Sequence, residues 1–149
     1  MDTILVVTFV DQSAARSGVM ALHDLSREGV IRLDRLAVIT KDAAGVLSRA
    51  YFEDDFPPPS RTLAGTALGS LIGLLAGLPG FAIGAGLGGL IGLIGDARMV
   101  HADHAVLSEV ATALIPGAYG VLAEAREQSA KQVDDRMQAL GGTAFRVSR

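Results

Sequence analysis

Cysteine is absent from this chain. Without thiols there are no disulfides and no thiolate metal sites, and the composition fits a reducing compartment. There is no basic block either. Thirteen lysines and arginines face sixteen acidic residues, for a net charge of -3, so a surface that tracks nucleic-acid phosphates is not expected. The opening Met1-Asp2-Thr3 runs at once into apolar residues. It lacks the basic start and small-residue cleavage site of a signal peptide. The largest absence is local. From Thr62 to Gly95, 34 residues pass without one charged side chain, and 11 of them are glycine.

Those glycines are periodic. Gly65, Gly69, Gly73 and Gly77 recur every four residues, and so do Gly80, Gly84, Gly88 and Gly92. Leu78-Pro79-Gly80 between the two sets reads as a turn. A glycine in a water-exposed helix costs about 1 kcal/mol relative to alanine. A run this rich in glycine suits helices whose backbones approach closely, as at small-xxx-small interfaces in membranes. At 100° per residue the first arm has one glycine face, opposite Leu68, Leu71, Leu74 and Leu75. In the second arm Gly84, Gly88 and Gly92 form one small face, which Ala82, Ala85, Gly86 and Gly89 widen. Ile83, Leu87, Leu90 and Ile94 make a narrower ridge. The pattern predicts a helical hairpin that packs on itself and on further copies. Each arm of about 24 Å is short for a bilayer core of about 30 Å. Snorkelling of Arg61 and Arg98, or local thinning, would cover the difference.

The 149 residues amount to one domain, or one domain with an insertion. Thr3–Val10 is β-branched and apolar, as a buried strand is. Asp11, Gln12 and Ser13 offer caps for a helix over Ala14–Glu28, with Ala15, Val19, Leu22 and Leu25 on one face and Gly29 as the stop. Arg32–Lys41 is a second strand, Asp42–Gly45 a turn, and Val46–Phe52 a short returning strand. The prolines of Glu53–Ser60 end it. Beyond the hairpin, Ala102–Leu114 is an amphipathic helix with Val106, Val110 and Leu114 on one side, closed by Pro116-Gly117. A strand over Tyr119–Ala125, a helix over Ser129–Leu140 and a half-buried strand over Thr143–Ser148 complete the chain. In that helix Val133, Met137 and Leu140 point inward, and Gly141-Gly142 stops it.

Two strand-helix-strand halves on either side of an insertion predict an α+β fold, a ferredoxin-like split βαβ sandwich with an inserted glycine-rich helical hairpin. The expected organisation is a first half over 1–56, a proline-rich linker over 57–61, the hairpin over 62–95, and a helix with the second half over 96–149. Both halves share one sheet on this reading. They must then lie on one side of any bilayer, which calls for an even number of crossings or a re-entrant loop.

The opening ILVVTFVDQSAARSGVMAL, the strand ending VITKD, the hairpin start TLAGTALGSLIGLLAG and the run ALIPGAYGVLAEA together resemble a bacterial family called domain of unknown function 1269. The last helix and the closing AFRVS match as well. The chain departs from the family at YFEDDFPPPS, where relatives carry a polar strand with Lys and Gln. The resemblance implies a membrane protein and brings no catalytic residues.

Other constellations are weaker. His101-Ala102-Asp103-His104 places histidines three apart, but only His23 remains elsewhere, so capping and solvation are expected rather than a metal. Glu53, Asp54 and Asp55 in a proline loop read as solvated. Gly84, Gly86 and Gly89 satisfy GxGxxG by chance, since they lie inside an apolar repeat. The expectation is therefore a non-enzymatic, membrane-associated protein of the cytoplasmic membrane. Its soluble domain faces the cytoplasm, and its partners are its own copies and the lipid bilayer. No cofactor, no metal and no nucleic acid are expected. The packing residues are Gly65, Gly69, Gly73, Gly77, Gly80, Gly84, Gly86, Gly88, Gly89 and Gly92. The alternatives are a soluble homo-oligomer burying the hairpins between subunits and a ferredoxin-like small-ligand sensor.

Overall fold

The structure is a computed structural model that describes residues 3–45, 47–50 and 104–148. These residues form β1 (Thr3–Phe9), α1 (Gln12–Arg27), β2 (Ile31–Lys41), β3 (Leu47–Ala50), α2 (His104–Ala113), β4 (Tyr119–Glu127), α3 (Ala130–Ala139) and β5 (Thr143–Ser148). The expected linker and hairpin lie outside the described residues.

Local chemistry sets the ends. The Asp11 side chain accepts from the Ala14 amide at 2.7 Å and caps α1. Ser129 does the same for α3 through the Gln132 amide. Gly29, with φ +77°, takes the left-handed conformation that ends α1 and turns the chain into β2. The Asp42 carboxylate accepts from the Ala44 amide at 2.9 Å and shapes the turn between β2 and β3. That turn brings Leu47 opposite Lys41 and Ala50 opposite Val38. A returning strand, expected over Val46–Phe52, is thus present over Leu47–Ala50.

The fold is α+β, with a five-stranded antiparallel sheet in the order β3-β2-β4-β1-β5. β4 lies between β1 and β2, and β1 lies between β4 and β5. Beyond the edge strand β3, strands from before residue 51 and after residue 103 therefore alternate across the sheet. The β2–β4 register shifts between Leu33 and Arg35, so Asp34 bulges out of the ladder.

Helices cover both faces. On one, Leu5, Val7 and Phe9 of β1 and Val121 and Ala123 of β4 meet α1 and α3 through Val19, Leu22, Leu25, Val133 and Met137. On the other, Ile4, Val6, Ile39, Leu122 and Val147 meet Val110 and Leu114 at the end of α2. This explains why β1 reads as an unbroken apolar run: both of its faces are buried. Each fully buried aliphatic or aromatic side chain contributes about 1.5–3 kcal/mol. Val106 is half-buried at the margin of the second cluster, and Leu140 at that of the first.

Candidate functional site

The residues singled out for helix packing, Gly65 to Gly92, lie outside the described residues, as do Glu53, Asp54, Asp55, His101 and Asp103. His104 opens α2. Among the described residues, no group of three His, Cys, Asp or Glu side chains could hold a metal ion. Among them, too, no helix is long and apolar enough to cross a membrane.

Two charged clusters stand out, one on each face of the sheet. On the α1/α3 face, Arg146 of β5 reaches across to β4 and α3. Its Nε and Nη2 donate to the two Glu127 carboxylate oxygens at 2.7 and 2.8 Å, and Nη2 also donates to Asp134 Oδ1 at 2.8 Å. The fork matches the carboxylate, so the contact is directional as well as electrostatic. Hydrogen bonding to Glu127 is the main reason that this guanidinium holds its proton even more firmly than an ordinary arginine.

The second cluster occupies a corner of the α2 face. Arg35 of β2 stands opposite Glu124 of β4, which in turn stands opposite Ile4 of β1. Arg35 Nη1 donates to Glu124 Oε2 at 3.0 Å. The carboxylate side chain is only 6% exposed and its arginine 43%, so the anion lies beneath and the cation on top. Two residues further along β4, Arg126 stands directly opposite Arg32 of β2. Arg32 Nε is 3.4 Å from Asp34 Oδ1 at the bulge, and its side chain is 74% exposed. Three guanidinium groups thus share one corner of one face.

The opposite end of the sheet is built differently. The Gly117 amide donates to the Lys41 carbonyl at 2.8 Å, and Thr40 Oγ1 donates to the Ala118 carbonyl at 3.0 Å. Gly117, at φ +86°, makes the tight entry from α2 into β4. Val10 and Ile115 are exposed beside these turns. On α1, burial and the nearby Arg27 lower the basicity of His23, while Asp24 opposes them.

Sequence reasoning missed Arg35, Glu124, Arg146, Glu127 and Asp134. Alternation along a strand assigns each residue a face. It does not reveal the register that sets Arg35 against Glu124, 89 positions away.

A family model described as a protein of unknown function, DUF1269, matches residues 62–148. The match takes in the glycine-rich stretch, α2, β4, α3 and β5, and leaves out β1, α1, β2 and β3. No curated protein and no solved structure matches the chain.

Proposed function

The chain belongs to the family of proteins of unknown function DUF1269, and we propose that it is a non-enzymatic, membrane-associated protein that assembles through its glycine-rich stretch. On this reading the sheet and its helices are a ferredoxin-like domain, and residues 62–95 are a helical hairpin inserted into it. The hairpin enters the bilayer from the cytoplasmic side and packs against copies of itself. The observation that carries the reading is the run of 34 uncharged residues with 11 glycines, mostly four apart.

The sheet order supports the one-sided arrangement. β1 and β2 precede the stretch, β4 and β5 follow it, and the order alternates them as β2-β4-β1-β5. Hydrogen-bonded neighbours cannot lie on opposite sides of a bilayer, so the stretch must return to the side it left. Setting β3 aside, an order with the second strand at one edge and the fourth at the other also suits the ferredoxin-like reading. Lipid tails are as apolar as leucine, so close backbone packing must drive assembly.

The test is a carbonate wash of membranes from cells making the full chain, followed by mass measurement in detergent. The protein is expected in the pellet and, after extraction, as an oligomer that Gly86→Leu dissociates and Leu75→Ile leaves intact. Recovery in the supernatant as an oligomer would favour the soluble assembly. A monomer under every condition would remove self-association altogether.

A further inference from the structure

We propose that the sheet corner bearing Arg32, Arg35 and Arg126 contacts the anionic phospholipid headgroups of the bilayer that residues 62–95 enter, an inference that rests on the membrane reading above. The argument starts from register. Arg32 and Arg126 are paired across β2 and β4, and Arg35 and Glu124 are the next pair on the same face beyond the bulge. The carboxylate of Glu124 is buried under Arg35, so the outer layer of this corner holds three guanidinium groups and one carboxylate, that of Asp34 beside Arg32. Arginine carries five donors in a planar fork, so one that already holds a carboxylate keeps donors for a phosphate oxygen.

Direction supplies the second part. β3 runs antiparallel to β2, from Leu47 opposite Lys41 to Ala50 opposite Val38. β3 therefore runs toward the start of β2, where Arg32 and Arg35 lie. The arginine corner is at the end of the sheet toward which β3 runs. On the membrane reading, this is the end of the sheet that we take to be turned to the bilayer. Basic residues near an anionic leaflet strengthen attachment additively, and the attraction falls off within a Debye length. The exposed apolar residues Val10 and Ile115 lie at the other end of the sheet, next to the end of β1 and the start of β4.

The experiment is co-flotation of the purified full chain with vesicles of phosphatidylcholine alone and of phosphatidylcholine with phosphatidylglycerol. Wild type is expected to bind the anionic vesicles about tenfold or more tightly at low salt, with the preference fading at high salt. The exposed pair is changed together, as Arg32→Gln with Arg126→Gln. The double variant should lose the preference while binding neutral vesicles as before. The charge-preserving Arg32→Lys with Arg126→Lys should retain most of it. A preference that survives the glutamine pair, that vanishes in the lysine pair, or that ignores salt in the wild type overturns the proposal. Binding to neither vesicle would overturn the membrane reading itself, which separates the two failures.

Discussion

Phe9 shows what a single side chain demands of its neighbours. Its ring is buried at the end of β1, in the cluster under α1 and α3. A methyl group added to Gly142 would come within 2.7 Å of the ring, and one added to Gly18 would overlap it. Gly18 stands inside α1, where glycine costs roughly 0.5–1 kcal/mol relative to alanine. The ring is the reason that the cost is borne. Gly18→Ala should therefore destabilise the fold by about 1–3 kcal/mol despite its better helix propensity. In a Phe9→Leu background the same change should cost much less, because the obstructing ring is gone. Urea denaturation of the four proteins of the cycle measures this. Equal costs in both backgrounds would show that the ring is not the obstacle. The helical wheel marks Ala15, Val19, Leu22 and Leu25 as the inward face of α1, and all four are buried. Gly18 carries no such signal, because its reason lies on another element.

Elements are tied to one another by the Arg146 fork. It joins β5, an edge strand, to the end of β4 and the first turns of α3. Glu127 is 9% exposed at its side chain, so removing the arginine strands a nearly buried carboxylate. Arg146→Met is expected to cost about 2–3 kcal/mol, the scale of hydrogen bonds to charged groups. Arg146→Lys should recover only part of it, because an ammonium cannot match both carboxylate oxygens at once. Hydrogen exchange gives the element-level readout: amides of β5 should lose protection before those of β4. Uniform loss across the sheet would assign Arg146 to global stability rather than to docking the edge. The elements themselves were legible to within a few residues. Apolar alternation and caps act over short distances, and β5 was expected over the span it occupies.

At the scale of the molecule, the family match and the folding unit do not coincide. Residues 62–148 contain β4 and β5, yet these strands are not neighbours. β1 separates them, and β2 flanks β4 on its other side. A fragment of 62–149 leaves both strands without partners and much of the core exposed. It is expected to lack cooperative thermal unfolding, and to recover it when mixed with a fragment of 1–56. The converse change should be mild. Replacing 62–95 with a short Gly/Ser linker should preserve a cooperative melt by circular dichroism, since the strands and both clusters described are drawn from outside that stretch. A folded 62–149 fragment, or loss of the melt in the linker variant, would contradict this account of the domain.

Residue order alone determined where chain segments become strands or helices and which residues of each face inward. Val133 and Met137 of α3, Val110 of α2 and Leu114 just after α2 are buried as their spacing requires. It also determined that a long uncharged glycine repeat divides the chain. These properties depend on neighbours within a few positions, and periodicity records them directly. Tertiary structure decided which strands pair and in what register. From that follow the Arg146 clamp, the burial of Glu124 beneath Arg35, the facing of Arg32 and Arg126, and the glycine that makes room for Phe9. Each joins residues from separate elements. Their approach is set by the closing of one sheet, and no local pattern encodes a distance across it.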